Sequence, residues 1–337
     1  MRKHEMIILS MITVISLSGW IILLDQHNHR DSTVYDGKEF EDELSIEAYF
    51  CPEEDCEKAL IERMERSDKI DCAFYDLGLR DVMETMEERD SRIIIDKAYA
   101  DKVVGDIDVI DDGSSRYMHN KFCIFDNESI MTGSMNPTQN GAYYNDNNIV
   151  FVESQRVAEN YRHKFDIMFH EGTFKDRDAE PLPYRIVSDI EGDDKVTVLF
   201  CPEDDCERNL KDIIGKSESE IRFMTFSFTS SPIAEKIIER GGSGIEVRGI
   251  FENWQAHSRW SEFNALNETF PGDMRLSRRE GNMHHKTFIV DENKVITGSY
   301  NPSENANTNN DENIMIIESE VIADKFLDEF ERVWEET

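Results

Sequence analysis

Two stretches of the sequence carry the same polar residues at the same spacing. Residues 118–150 and residues 283–315 both contain the pattern His-x-Lys-x4-Asp-x6-Gly-Ser-x-Asn. The shared positions are His119, Lys121, Asp126, Gly133, Ser134 and Asn136 in the first copy, and His284, Lys286, Asp291, Gly298, Ser299 and Asn301 in the second. A lone His-x-Lys means little, but six matched positions that occur twice indicate a functional motif.

Each copy brings together side chains that suit a phosphate group. His and Lys two residues apart on a strand project from the same face, and the Ser and Asn after the turn can return to it. Cationic and neutral donors of this kind hold non-bridging phosphate oxygens, so we expect phosphate binding by Ser134, Asn136, Ser299 and Asn301.

The motif belongs to a larger internal repeat. "YFCPEEDCEKAL" at residues 49–60 returns as "LFCPEDDCERNL" at residues 199–210. We therefore predict two similar halves, 45–172 and 193–337, joined by a polar linker at 173–192. Each half alternates strand-like and helix-like segments, which indicates an α/β sheet flanked by helices. Short apolar runs around "DNE" and "ENK" predict that each motif lies on a β-hairpin.

The second half is longer, mainly because of the segment from Asn253 to Met274. This segment contains two tryptophans and a histidine and comes shortly before the second motif. It can be a surface helix without function or a lid or specificity loop, and the sequence leaves both interpretations open.

The six cysteines fall into two groups. Four of the six lie in two Cys-Pro-Glu-x-Asp-Cys units, Cys51, Cys56, Cys201 and Cys206. If the protein lies outside the cytoplasm, a disulfide within each unit is expected. Zinc binding is the weaker alternative, because no histidine lies nearby. Cys72 and Cys123 lie in apolar strand-like runs and are predicted to be core residues.

The chain is strongly acidic, with 71 acidic and 37 basic residues and a net charge of −34. Such a surface repels polyanions at long range. Adaptation to high salt, which screens charges, is a simple explanation. An anionic substrate must then be held by a local cationic site.

The N-terminal segment is predicted to be a membrane anchor. Residues 6–24 contain no charged side chain and would span about 28 Å as a helix. Arg2 and Lys3 precede this run and acidic residues follow it, which predicts a cytoplasmic tip and anchor at 1–25 and a tether at 26–44. The catalytic halves would then face outward from the cell membrane on a single span. A cleaved signal peptide is the alternative, although no small-x-small site closes the apolar run.

The duplicated motif resembles that of the phospholipase D superfamily, and the resemblance covers both halves. It implies two similar α/β sandwich halves related by a pseudo-twofold axis, with one site between them. It also implies that one histidine attacks phosphorus and forms a phosphohistidine, while the other protonates the leaving oxygen and then activates water. No metal or other cofactor is expected, and a monomer is expected because one chain carries both motifs.

The resemblance also implies that one further residue orients each histidine. A polar residue follows each histidine by 28 positions, Asn147 in the first half and Glu312 in the second. Each was expected to orient the histidine of its own half, with the neighbouring Asp146 and Asp311 as alternatives. A carboxylate partner favours imidazolium, which predicts His119 as nucleophile and His284 as general acid.

The remaining expectations concern the motif aspartates and the substrate. Asp126 and Asp291 were expected to fix the hairpin or its lysines rather than to touch substrate. The substrate could be nucleic acid, because the halves resemble small bacterial endonucleases of the superfamily, or phospholipid, because of the anchor. A phosphatidyl transferase of the cardiolipin-synthase type and a non-catalytic anion-binding scaffold are the alternatives. The scaffold is disfavoured because both motifs are intact.

Overall fold

The computed structural model describes residues 43–114, 116–176, 181–189 and 192–337. The predicted anchor at residues 1–25 lies outside these ranges, as does the tether up to residue 42. Within the described residues, no helix is both long enough and apolar enough to cross a membrane.

The first half alternates strands and helices as the sequence predicted. Its strands are β1 (Ser45–Cys51), β2 (Lys69–Phe74), β3 (Asp90–Ile95), β4 (Asp108–Asp111), β5 (Lys121–Phe125), β6 (Ser129–Gly133) and β7 (Asn147–Glu153). Its helices are α1 (Cys56–Glu65), α2 (Arg80–Glu87), α3 (Gln139–Tyr143) and α4 (Gln155–Glu171).

The second half repeats this order. Its strands are β9 (Lys195–Cys201), β10 (Glu220–Thr225), β11 (Glu246–Phe251), β12 (Met274–Leu276), β13 (Lys286–Val290), β14 (Lys294–Gly298) and β15 (Glu312–Glu318). Its helices are α5 (Cys206–Gly215), α6 (Ser231–Gly242), α7 (Asn253–Ala256), α8 (Phe263–Thr269), α9 (Glu304–Thr308) and α10 (Glu320–Glu335). One further strand, β8 (Ile186–Ser188), comes before β9.

Each half builds one mixed sheet with the same strand order. The first sheet runs β1-β7-β6-β5-β2-β3-β4, and the second runs β12-β11-β10-β13-β14-β15-β9-β8. When the second order is reversed, it matches the first, apart from the additional edge strand β8. This strand pairs antiparallel with β9 and lies inside the segment predicted as a linker, which is therefore not wholly irregular.

The predicted motif hairpins are present, and an aspartate fixes each one. Asp126 and Asp291 both adopt positive φ, 53° and 55°, at the turn between the two hairpin strands. Oδ1 of Asp126 accepts from the backbone N–H of Lys69 at 2.8 Å, and Oδ1 of Asp291 accepts from that of Ser219 at 2.8 Å. Each aspartate thus ties its hairpin to the start of the neighbouring strand, and neither bonds to a motif lysine.

The halves share a central hydrophobic core. Phe122 of the first half packs edge-on against Tyr161 of α4 at 5.0 Å, and Tyr161 packs against Phe200 of the second half at 5.2 Å. Phe50 of the first half likewise meets Phe326 of α10 at 4.9 Å. Helices α4 and α10 therefore each contact both halves, and this fixes one half relative to the other.

All six cysteines are paired. The predicted local disulfides, Cys51–Cys56 and Cys201–Cys206, are confirmed. Cys72 and Cys123 are buried, as expected of core residues, but they also form a third disulfide that the sequence did not predict. The reason lies in the register, because β2 pairs antiparallel with β5 and places these two residues directly opposite each other.

The long segment of the second half lies between β11 and β12 and is helical. Ala256 of α7 and Leu266 of α8 pack into the core of the second half. Its tryptophans remain at the surface, where Trp254 is 57% and Trp260 is 65% exposed.

Candidate active site

The two motifs meet where the halves join. Each histidine immediately precedes a central strand, His119 before β5 and His284 before β13. Isolated bridges join Met118 to Asp311 and Met283 to Asp146. Each motif therefore lies against the segment that leads into β7 or β15 of the opposite half.

Each imidazole is held by a side chain from the other half. Nδ1 of His119 lies 2.7 Å from Oε2 of Glu312, and Nδ1 of His284 lies 2.8 Å from Oδ1 of Asn147. The prediction from the sequence, that Asn147 orients His119 and Glu312 orients His284, is therefore wrong. The partners are exchanged because the bridges place the start of β15 beside His119 and the start of β7 beside His284.

The surrounding hydrogen bonds define which nitrogen of each ring is free. Asn147 donates from Nδ2 to the carbonyl of Gly141 at 2.9 Å, so its Oδ1 faces His284 and accepts a hydrogen bond from Nδ1–H. An ionised Glu312 can only accept, and it accepts a hydrogen bond from Nδ1–H of His119. Each ring therefore carries its proton on Nδ1 and presents the lone pair of Nε2.

The motif serines hold the orienting residues rather than a substrate. Oγ of Ser134 donates to Oδ1 of Asn147 at 2.9 Å, and Oγ of Ser299 donates to Oε2 of Glu312 at 2.6 Å. Both serines are fully buried. The prediction that Ser134 and Ser299 bind phosphate is therefore corrected, because each hydroxyl proton is already used on an orienting side chain.

The motif asparagines remain candidates for substrate binding. Asn136 and Asn301 are both half-buried, and Oδ1 of each has no hydrogen-bond partner within the described part of the chain. Their assignment to phosphate stays a prediction.

Both motif lysines are buried beside their histidines. Nζ of Lys121 donates to the carbonyl of His119 at 2.7 Å, and Nζ of Lys286 donates to that of His284 at 2.8 Å. Nζ of Lys286 also lies 3.2 Å from Nε2 of His284. Nζ of Lys286 is thus fixed next to Nε2 of His284, and Nζ of Lys121 is fixed against the main chain of His119.

Burial and mutual repulsion disfavour positive charge on the histidines and lysines of the site. Burial lowers the pKa of His119 to about 4, although Glu312 opposes the shift and Lys121 adds to it. Burial and Lys286 lower the pKa of His284 well below its usual value. Burial also lowers the pKa of Lys121 to about 7 and that of Lys286 well below the ordinary range. A bound anion would reverse these shifts, because it stabilises the protonated forms.

Glu312 is ionised despite its burial. Burial alone would raise the pKa of its carboxyl, but the hydrogen bond from Nδ1–H of His119, the positive charge of Lys121 and the hydrogen bond from Ser299 outweigh that effect and hold the pKa below its usual value. Its second oxygen accepts from Nδ2 of Asn310 at 3.0 Å. The site therefore keeps a buried negative charge on Glu312, next to the ring of His119.

Sequence reasoning missed how the main chain of each histidine is fixed. The N–H of His119 donates to the carbonyl of Asp311 at 2.9 Å, and that of His284 donates to the carbonyl of Asp146 at 2.8 Å. Asp146 and Asp311 had been considered only as alternative ring partners. The signal was a second repeated pattern, Asp-x-Asn-Ile, which occurs at residues 146–149 and 311–314.

Asparagines from the same pattern fasten the halves together. Oγ1 of Thr297 donates to Oδ1 of Asn148 at 2.8 Å, and Nδ2 of Asn313 donates to Oγ1 of Thr132 at 2.7 Å. Each bond joins one half to the other, and all four side chains are buried. These contacts support the junction that aligns the two histidines.

Aromatic rings line both sides of the site. Tyr75 packs against His119 at 4.8 Å, and Phe226 packs against His284 at 4.7 Å. Further out, Tyr117 contacts Tyr75 and is 50% exposed, while Trp254 contacts Phe226 and is 57% exposed. Trp254 comes from the long segment of the second half. This segment therefore supplies one of the two exposed rings, Tyr117 and Trp254, that we call the mouth of the site.

The described residues contain no group of three or more His, Cys, Asp or Glu side chains arranged to hold a metal ion. The histidines are instead surrounded by lysine, asparagine, glutamate and aromatic side chains.

The chain is similar in sequence to known phospholipases D and cardiolipin hydrolases. The chain is 29% identical over 133 residues to phospholipase D from Rickettsia conorii, which covers 40% of this chain and 66% of that protein. It is 27% identical over 124 residues to mitochondrial cardiolipin hydrolase from Chlamydomonas reinhardtii, which covers 37% of this chain and 55% of that protein. The chain thus spans less than two thirds of either relative.

A solved structure resembles both halves together. Phosphatidylserine synthase from Haemophilus influenzae superposes with a TM-score of 0.62 at 12% identity, over 83% of this chain and 84% of that one. This likeness shows a shared fold. The family profile described as "Cardiolipin synthase, PLD-like domain" matches residues 40–169 and 210–334, well over half of the sequence. The chain therefore belongs to the phospholipase D superfamily.

Proposed function

We propose that this protein is a phosphodiester hydrolase that works without a metal through a phosphohistidine. The observation that carries the proposal is the exchange of ring partners between the halves. It holds two imidazoles by Nδ1, one through a carboxylate and one through an amide, beside two buried lysines. Such a site offers a nucleophile, an acid and a cationic cradle for one phosphate.

His119 is the nucleophile in this proposal, as the sequence predicted, but for a different reason. Burial and Lys121 keep the pKa of His119 at about 4, so the ring is neutral at neutral pH even beside Glu312. Attack by Nε2 forms the N–P bond and places positive charge on the ring. Glu312 at Nδ1 stabilises that charge, and Asn147 offers His284 no equivalent.

His284 is the general acid. The negative charge of a bound diester favours its protonation, and Nε2 then gives this proton to the leaving oxygen as the P–O bond breaks. The neutral ring next accepts a proton from water, whose oxygen attacks phosphorus and breaks the N–P bond to His119. Both histidines return to their starting forms.

The lysines and motif asparagines hold the non-bridging oxygens. Lys121 and Lys286 lie beside the histidines, and Asn136 and Asn301 of the same motifs each carry an Nδ2 amide that can donate to a phosphate oxygen. The reaction needs no cofactor, because proton transfer and charge stabilisation all come from side chains.

The substrate is a nucleic acid or a phospholipid. The names of the relatives, phospholipase D and cardiolipin hydrolase, favour a phospholipid. Transfer of a phosphatidyl group is the second candidate, favoured by the matching family description, which names cardiolipin synthase. Transfer differs from hydrolysis only in the acceptor, because an alcohol replaces water in the second step.

The test is hydrolysis by the purified full chain in the presence of EDTA. Bis(p-nitrophenyl) phosphate reports the chemistry, while single-stranded DNA and cardiolipin or phosphatidylcholine vesicles, with and without added glycerol, report the substrate. We expect EDTA-resistant activity that is lost in His119→Asn and in His284→Asn. Activity abolished by EDTA and restored by a divalent ion would refute the metal-independent mechanism. Specific anion binding without turnover of any of these diesters would favour a scaffold instead.

We also propose that the protein is a monomer on a single membrane span with its site outside the cytoplasm. Three disulfides among the described residues are typical of an oxidising compartment. Protease added to intact cells should then remove the bulk of the protein. Full protection, while another surface protein is digested, would overturn this topology.

A further inference from the structure

We infer that Asp146 and Asp311 are positioning residues. Each one contacts the half of the molecule to which it does not belong and holds the catalytic histidine of that half in position. The inference rests on the proposed function, because it assigns the two aspartates to two different chemical steps. Asp146 acts on His284, the proposed acid, and Asp311 acts on His119, the proposed nucleophile.

The first part of the argument is the main chain. Asp311 donates its N–H to the carbonyl of Tyr117 at 3.0 Å and accepts from the N–H of His119 at 2.9 Å. Asp146 donates to the carbonyl of Asn282 at 2.9 Å and accepts from His284 at 2.8 Å. Each aspartate therefore pairs with the two residues that flank the methionine before a histidine.

The second part is the carboxylate of Asp146. Oδ1 accepts from Arg279 at 2.7 Å and from Arg332 of α10 at 2.8 Å, both from the second half. The aspartate itself belongs to the first half and is 1% exposed. Two guanidinium groups thus hold this buried charge in place, and charge-assisted bonds of this kind are the strong ones.

The carboxylate of Asp311 is held in a parallel way by different groups. Oδ1 accepts from the N–H of Lys175 at 2.8 Å and from Nζ of Lys164 in α4 at 3.4 Å. Nζ of Lys175 lies 3.6 Å from Oδ2. Lys164 belongs to the first half and Lys175 to the linker that follows it, whereas Asp311 belongs to the second half. Asp146 and Asp311 therefore occupy equivalent positions, but arginine side chains hold the first carboxylate and lysine residues hold the second.

The third part is the residue that follows each aspartate. Asn147 and Glu312 hold the rings of the same histidines whose main chains Asp146 and Asp311 hold. Each pair of consecutive residues thus fixes one histidine at two points. A carboxylate that fixes the position of such a pair also fixes the direction of Nε2 of the histidine that the pair holds. A shift of about 1 Å at a reacting group can cost on the order of 100-fold in rate.

The experiment compares two leaving groups, because the more basic one depends more strongly on protonation by the general acid. Methyl p-nitrophenyl phosphate releases a weakly basic phenolate that needs little protonation, whereas methyl phenyl phosphate releases a more basic one. In Asp146→Asn, kcat for the phenyl ester should fall at least about tenfold further than kcat for the p-nitrophenyl ester. In Asp311→Asn, both esters should slow by the same factor, with KM little changed.

Asp71→Asn is the matched control. Asp71 is also 1% exposed and is held by a guanidinium, that of Arg92 at 2.7 Å, but its partner belongs to the same half. This variant should not discriminate between the two esters. If Asp146→Asn does not fold, Arg279→Gln removes one of the two anchors from a partly exposed position and should show the same leaving-group dependence.

The outcomes separate this inference from the proposed function. If the wild type hydrolyses neither ester, the proposed function fails. If the wild type is active but Asp146→Asn and Arg279→Gln slow both esters equally, as the control does, positioning by Asp146 is refuted. If the leaving-group dependence appears in Asp311→Asn instead, positioning stands and the roles of the two histidines are reversed.

Discussion

Oε2 of Glu312 lies 2.7 Å from Nδ1 of His119, although 193 positions separate the two residues in sequence. The bond crosses from one half of the molecule to the other, and His284 makes the reciprocal bond to Asn147. Neither half therefore contains a complete histidine site. The duplication does more than supply two reactive groups, because each copy also orients the reactive group of the other.

Exchanging the two orienting residues tests their different charges. Glu312→Gln keeps a hydrogen-bond acceptor but removes the charge that stabilises the phosphohistidine, so kcat should fall on the order of 100-fold. Asn147→Asp places a carboxylate on His284 and raises its pKa. Because the general acid must be protonated, the decline of kcat at high pH should then move to higher pH. Steady-state pH profiles of both variants check this, and an unmoved decline in Asn147→Asp would contradict the assignment of His284.

The covalent intermediate should form on His119. His284→Asn removes the acid and the base for hydrolysis, but p-nitrophenolate leaves with little protonation, so on bis(p-nitrophenyl) phosphate this variant should give a burst of one p-nitrophenolate and retain the p-nitrophenylphosphoryl group on His119. His119→Asn should give no burst. Mass spectrometry that avoids acid locates the adduct. A p-nitrophenylphosphoryl group on His284 in the His119→Asn variant, with none on His119 in the other, would reverse the roles.

The sequence predicts features that depend on short-range pattern. The motif hairpins follow from apolar runs around a turn, and the disulfides Cys51–Cys56 and Cys201–Cys206 follow from close spacing in a repeated unit. The disulfide Cys72–Cys123 depends on which strands become neighbours, because β5 lies beside β2 only after the chain has passed through β3 and β4. Strand order of this kind cannot be read from spacing.

The ring partners show the same limit at a larger scale. Position 28 after each histidine was identified as the orienting residue, and the residue types at those positions, Asn147 and Glu312, are the ones that bind the rings. Which histidine each one serves depends on how the two halves pack. The serine assignments failed for a related reason, because a hydroxyl near a phosphate site can bind the substrate or the residue behind it.

Anion affinity should fall as pH rises through the pKa of the buried lysines. Burial places the pKa of Lys121 at about 7, and a bound anion favours its protonated form. Sulfate keeps its charge near neutral pH, so its binding isolates the titration of the protein. The dissociation constant should increase by up to about tenfold per pH unit for each proton taken up. Calorimetry in buffers of different ionisation enthalpy counts these protons. Lys121→Met should flatten the dependence, and affinity that does not change with pH in the wild type would rule out the linkage.

The aromatic residues at the mouth should matter for large substrates more than for small ones. Trp254 and Tyr117 are half-exposed and reach the histidines through Phe226 and Tyr75, one chain of rings on each side of the site. A group attached to the scissile phosphate can therefore stack on or pack against them. Trp254→Ala and Tyr117→Ala should raise KM for the preferred natural substrate about tenfold, or ~1.4 kcal/mol. The effect on methyl p-nitrophenyl phosphate should be smaller.

Trp260→Ala is the control that also separates the two substrate classes. Trp260 lies in the same segment and is 65% exposed, but its ring packs against Arg259, at 4.4 Å, rather than against the rings at the site. If the substrate is a nucleic acid strand bound in the mouth, only Trp254 and Tyr117 should affect KM, because stacking is local. If the protein acts on vesicles, exposed tryptophans also partition into the interface, so Trp260→Ala should weaken vesicle binding as well. Equal KM values for the wild type, Trp254→Ala and Tyr117→Ala on both substrates would remove the mouth from substrate recognition.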